Sequence, residues 1–164
     1  MIKLYADGNE LDIFIEDYAY TDLDAYYTDL NWLKVNVRWQ NGAEIWQVSD
    51  RCLLTEDLMN FRAWLSTVLS NSEEYSHIEF FEPCLSFAYL QTDRFPLFRI
   101  YLNNELDPRS TDKLPSSMPI LINEQDKVYL ECPVSVKNIE SFIDSLSISI
   151  EKFPIRQERS WDEE

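Results

Sequence analysis

The sequence predicts an α+β fold: a mainly antiparallel sheet of about eight or nine short strands, with two helices packed on one face. Three observations predict it. Apolar residues alternate with polar ones over most of the chain, and turn residues break the alternation. Two segments carry apolar residues at helical spacing instead. The strands come in runs, with one helix after each run, which is the order expected of an antiparallel sheet rather than of βαβ units.

The first strand pair spans residues 2–5 and 11–18, joined through Asp7-Gly8-Asn9. Leu11, Ile13 and Ile15 share one face of the second member. A polar, tyrosine-rich stretch follows, from 17 to 31. Residues 32–39 then read as a strand, with Leu33, Val35, Val37 and Trp39 on one face and Lys34, Asn36 and Arg38 on the other. Asn41-Gly42 is the strongest hairpin signal in the chain and predicts a type I′ turn. Residues 43–48, carrying Trp46, form the return strand.

Thr55 opens a helix that ends near Ser70-Asn71. Its hydroxyl is expected to cap free amides, and Glu56 and Asp57 suit the positive end of the dipole. Leu58, Phe61, Trp64 or Leu65, Val68 and Leu69 recur at helical spacing. Strands are expected at 78–81, 85–91 and 97–103. A loop with Pro108 and Pro115 covers 105–117. Two further strands lie at 120–123 and 127–132, the last stopped by Pro133. Ser135 caps a second helix, whose stripe is Ile139, Phe142, Ile143, Leu146 and Ile150. Phe153-Pro154 ends it.

The 164 residues fit one domain, read as 1–158, with 159–164 as an acidic tail. A chain of this length buries about two-thirds of its unfolded surface and needs no staples. Cys52, Cys84 and Cys132 are odd in number and widely spaced, which fits buried free thiols better than a disulfide framework. No signal peptide and no membrane-spanning run is visible, so the expected compartment is the cytoplasm.

Chemistry is harder to place. Only two glycines are present, which excludes a Gly-rich phosphate loop and a dinucleotide fingerprint. The single histidine, His77, has no cysteine at zinc spacing and reads as an ordinary edge residue. Asp22, Asp24 and Asp29 suggest a calcium loop, but counting from Asp22 puts Tyr27 at position 6 and Leu33 at position 12, where an EF-hand needs Gly and Glu. No metal and no cofactor are therefore expected. Thirty acidic residues make chance carboxylate pairs certain, so a carboxylate-dependent hydrolase stays the least favoured reading.

The formal charge is −16. Charge of this size keeps a protein soluble, and it also suits a partner of opposite sign. Direct nucleic-acid binding is disfavoured, because it needs basic stripes. Residues 1–31 hold eight acids and one lysine, which implies a one-signed field. Tyrosine and aspartate coincide in this region, and tyrosine is enriched at interfaces. The expected contact residues are Tyr20, Asp22, Asp24, Tyr26, Tyr27 and Asp29. Tyr18 is expected to pack at the sheet rim.

One set of motifs resembles a family. It comprises a strand ending in Tyr18, Asp29-x-Asn31-Trp32-Leu33-x-Val35, Trp46, and Thr55-x-x-Leu58-x-x-Phe61-x-x-Trp64-Leu65. Phe81-Glu82-Pro83-x-Leu85-x-Phe87 and Phe153-Pro154-x-Arg156 complete it. In order and spacing the set resembles the WapI family of bacterial immunity proteins, which protect cells from contact-dependent toxins. The resemblance implies a non-enzymatic, cytoplasmic protein that binds and blocks a toxin domain, with a basic nuclease as the natural target. The motif residues themselves read as core. The rival reading is a small acidic adaptor subunit that binds another protein.

Overall fold

A computed structural model of the protein describes residues 1–21, 29–70 and 74–156. Its described strands number nine and divide between two antiparallel sheets. The first is a meander of β1 (Ile2–Ala6), β2 (Asn9–Tyr18), β3 (Trp32–Asn41) and β4 (Glu44–Leu54). The second contains β5 (Tyr75–Glu79), β6 (Leu85–Leu90), β7 (Leu97–Leu102), β8 (Leu121–Ile122) and β9 (Val128–Pro133), in the order β5-β6-β7-β9-β8. The helices are α1 (Thr55–Ser70) and α2 (Val136–Lys152). The expected strand total and both helices are present. The strands form two sheets because α1 starts directly after β4 and carries the chain off the first sheet before β5 begins.

Alternation sets the inner faces. Leu11, Ile13 and Ile15 of β2 pair with Trp39, Val37 and Val35 of β3. All are buried, and they join one core with Phe87, Phe98, Ile100 and Leu130 of the second sheet. Register shifts at Ile15/Asp17 and Leu33/Lys34 interrupt the ladder. At the second, Cys52 is the extra residue of β4, and Cys52 and Leu53 both turn into the core.

Both helices cover the inner face of the second sheet. Phe61 of α1 stacks on Phe87 at 4.6 Å between ring centres, and Trp64 lies 5.8 Å from Phe98. Phe142 of α2 reaches the same Phe98 at 6.4 Å. Ser135 caps α2 in a capping box with Asn138.

Several local expectations change. Thr55 does not cap α1. Its hydroxyl donates to the Asn31 side chain at 3.4 Å, and Asp57 accepts from the Leu54 amide at 2.8 Å instead. That places Asp57 in the interior, where burial pushes its carboxyl above the ordinary range. The β3–β4 turn is Gly42-Ala43 rather than Asn41-Gly42. Among the described residues of this turn only Gly42 has positive φ, the pattern a type II′ turn demands. The I′ pattern occurs between β1 and β2, where Asp7 and Gly8 both have positive φ. The last strand does stop at Pro133, which is the final residue of β9 and still pairs with Leu97. The expected 105–117 loop contains two 3-10 turns, beginning at Asn104 and Pro108.

All three cysteines are free and buried. Burial pushes the Cys132 thiol up to about 12. Hydrogen bonding to Cys84, then burial, raises that of Cys52.

Candidate functional site

One end of the first sheet gathers residues from four distant stretches of chain. Beyond β2, the Ala19 amide still donates to the Trp32 carbonyl at 2.7 Å, so the chain stays paired as far as Ala19. On the approach to β3, the Asp29 carboxylate accepts from the Asn31 amide at 2.8 Å, a local Asx turn. Asn31 then acts as a junction. Its carbonyl accepts from the Thr55 amide at 3.0 Å, and its side-chain oxygen accepts from the Arg156 amide at 2.7 Å. Its side-chain amide donates to the Arg156 carbonyl at 3.3 Å. The C-terminal segment is thereby tied to the start of β3 and of α1. Tyr18 completes the tie. Its ring stands edge-on to Phe153 at 5.4 Å, and its hydroxyl donates to the Pro154 carbonyl. Burial pushes the Tyr18 phenol above its ordinary range, against the opposing pull of the Arg156 charge.

From this tie a ladder of rings and guanidinium groups runs across the surface. Arg156 lies 3.5 Å from the Tyr18 ring centre and donates to the Tyr20 carbonyl at 3.0 Å. Arg51, from β4, donates to the Tyr20 hydroxyl at 2.6 Å and covers the Trp32 ring at 4.8 Å. Trp32 in turn lies 6.2 Å from Phe81, in the connection between β5 and β6. Trp32 is 9% exposed and Phe81 is 78% exposed. Of the residues that the resemblance marks as core, Phe81 is therefore on the surface. Consecutive residues near a strand end point to opposite sides, and Phe80 takes the inward position. Carboxylates border the ladder. Asp29 and Asp17 lie beside Asn31 and Tyr18, and Asp50 accepts from the Arg51 amide at 2.6 Å. Glu82 follows Phe81.

The field over residues 1–31 is less one-signed than their composition implies. Lys3 pairs with Glu10 at 3.0 Å and Asp12 at 3.8 Å. Lys34 of β3 pairs with Glu16 at 3.0 Å. Hydrogen bonds from Ser49 and Asn36 hold the Glu16 carboxyl below its ordinary range, with Lys34 adding to the effect. Three of the eight acids are thus matched on the outer face of the sheet, by one lysine close in sequence and one from the next strand.

Of the six expected contact residues, Tyr20 and Asp29 lie at this end of the sheet. Asp22, Asp24, Tyr26 and Tyr27 fall outside the described residues. Arg51 was not singled out by sequence, and Phe81 was read there as core rather than as a contact residue. The Phe80-Phe81 doublet held a signal, since consecutive residues of a strand point to opposite faces.

A concave feature lies on the outer face of the five-stranded sheet, a hollow of about 180 Å³ lined by Tyr75, His77, Glu79, Tyr101 and Lys127 among others. His77 sits on the edge strand β5, with its ring 5.8 Å from that of Tyr75. Arg99 and Glu131 pair at 2.8 Å beside it. Among the described residues, no group of three or more His, Cys, Asp or Glu side chains is placed to hold a metal ion. No described helix is long and apolar enough to cross a membrane.

The tie brings motif residues that are dispersed in sequence, Tyr18, Asn31, Thr55, Phe153, Pro154 and Arg156, into one contact set. The sequence model of the Immunity protein WapI-like family matches residues 1–154. The chain belongs to this WapI-like family. The match runs from β1 through α2 and stops at Pro154, the residue whose carbonyl receives the Tyr18 hydroxyl. No curated protein matches the chain. Within the WapI-like frame, the ladder and the outer hollow are surfaces where aromatic side chains of the described residues cluster.

Proposed function

We propose that this protein is an immunity protein that binds and neutralises a cognate toxin domain, and that the toxin is a basic nuclease delivered by contact between cells. Membership of the WapI-like immunity family over residues 1–154 carries the reading. The charge of −16 supports its finer part. A nuclease must present a basic groove to a phosphate backbone, and an acidic protein competes for that groove. Opposite charge also speeds encounter, which matters to a protein that must capture a toxin before it acts. The action is stoichiometric occlusion, without catalysis and without a cofactor, in the cytoplasm where an incoming nuclease meets its substrate.

The test uses the toxin domain encoded at the adjacent locus. Titration of the protein into that domain is expected to give a one-to-one complex, to abolish nuclease activity, and to weaken as salt rises. Expression should protect cells that make the toxin. Absence of a complex at low salt, together with absence of protection, would refute the proposal. Replacing Asp22 and Asp24 by Asn, and Tyr26 and Tyr27 by Ala, is expected to weaken the complex and leave the melting temperature unchanged. Wild-type affinity in that quadruple variant would remove the 22–28 segment from the interface.

A further inference from the structure

We propose that the ladder formed by Phe81, Trp32, Arg51, Tyr20, Arg156 and Tyr18 is the docking surface for the basic toxin domain, and that Phe81 is its anchor. This rests on the immunity reading and gives it a location among the described residues.

Three observations carry the assignment. The first is the exposure of Phe81. A phenylalanine that is 78% exposed leaves most of its apolar surface in water. A single exposed apolar residue is ordinary. Phe81 is not single, because it abuts Trp32, and Ile155, 58% exposed, lies between Pro154 and Arg156, both bound at the other end of the ladder.

The second is pre-organisation. Every member behind Phe81 is held by a neighbour: Trp32 under Arg51, Arg51 on the Tyr20 hydroxyl, and Arg156 between the Tyr20 carbonyl and the Tyr18 ring. Docking on such a surface freezes few side chains, so little of the contact energy is spent on ordering. Tyr, Trp and Arg are also the residue types that dominate binding hot spots.

The third is charge. Asp17, Asp29, Asp50 and Glu82 border the ladder, while its two guanidinium groups already lie on ring faces. The rim therefore presents carboxylates around an aromatic centre. The matching partner offers an apolar pocket ringed by Lys and Arg, which a basic nuclease groove supplies at its margin. The outer face of the second sheet fits such a partner less well, because Arg99 neutralises Glu131 there and Lys127 offsets Glu79 in the lining of the hollow, whereas the four carboxylates beside the ladder outnumber its two guanidinium groups.

The experiment measures affinity for the adjacent-locus toxin domain by calorimetry, using the wild type, Phe81→Ala and Tyr75→Ala. Tyr75 is the control, 53% exposed on the other aromatic surface. Phe81→Ala is expected to weaken binding roughly thirtyfold, the mark of a hot spot, with an unchanged melting temperature. Tyr75→Ala is expected to bind as the wild type does. Equal binding by Phe81→Ala and wild type overturns the proposal while leaving the immunity reading intact. Loss of binding in Tyr75→Ala alone overturns it in favour of the second sheet. A wild-type dimer that Phe81→Ala converts to monomer assigns the surface to self-association and overturns it. A wild type that binds no toxin overturns the immunity reading, and this inference with it.

Discussion

Phe80 and Phe81 are neighbours in the chain, yet they belong to two aromatic networks built differently. Phe80 is 7% exposed and packs edge-on to Phe61 at 5.5 Å and to Phe87 at 6.3 Å. Phe61, Trp64, Phe87, Phe98 and Phe142 extend that network between the helices and the second sheet. Ring packs on ring there, and most of the area lost to water is apolar. Phe81 begins the other network, in which guanidinium groups separate the rings and hydrogen bonds fix them. The first network is arranged to hold the fold. The second leaves a large apolar surface uncovered at its end, a cost to the free protein that binding would recover.

The comparison is most directly broken by truncating each phenylalanine. Phe80→Ala is expected to cost about 3–5 kcal/mol, the range for deleting a buried aromatic side chain. Phe81→Ala should stay within about 0.5 kcal/mol of the wild type, as an exposed position does. Urea denaturation of both variants checks the pair. Similar losses would mean that Phe81 is part of the core and that the two networks are one.

A smaller effect is expected within the ladder. Arg156→Ala removes the stacking on Tyr18 and a charged hydrogen bond to the Tyr20 carbonyl, and leaves its backbone links to Asn31 in place. A cation–π contact and one such bond, at the solvent-screened low end of their ranges, are together worth about 2 kcal/mol. The shift in urea midpoint measures it. A loss as large as that of Phe80→Ala would make the ladder a structural element in its own right.

Much of the core network was legible from sequence, because alternation and helical spacing are local. Leu11, Ile13 and Ile15 announced one strand face, and Phe61, Leu65 and Val68 announced a helix face. The division into two sheets was not legible, since β7 finds β9 across the whole 103–127 region and no local pattern encodes that pairing. β5 was expected at 78–81 and runs from Tyr75 to Glu79. The Phe-Phe doublet closed the expected 78–81 strand, whereas its two rings lie beyond β5 and end in different networks. The ladder was almost invisible in advance. Tyr18 meets Pro154 across 136 positions and Asn31 meets Arg156 across 125, so only the fold makes them neighbours. The excess of acid in residues 1–31 was legible, but its partial neutralisation by Lys34 needed the β2–β3 register.

The subtlest distinction between the networks is that the ladder titrates. Tyr89 joins the core network only at the ring of Phe98, and the phenylalanine and tryptophan rings that make up most of that network do not ionise in water. Tyr18 does, and burial raises its phenol above the ordinary value of 10.0. In the folded protein Tyr18 stays neutral at a pH where the unfolded chain has already ionised. Its contribution to stability is therefore complete below pH 10 and drains away as pH rises through the folded-state value. Tyr18→Phe keeps the ring against Phe153 and under Arg156 but loses the hydroxyl that donates to Pro154. At neutral pH that should cost about 1 kcal/mol, the net worth of one hydrogen bond. In an ultraviolet titration of phenolate, the variant should lack one of the late-ionising groups seen in the wild type, and its stability should fall less steeply above pH 10. If the phenol missing from the variant is one that titrates at or below its ordinary value, Tyr18 is open to water and does not clamp the C-terminal segment.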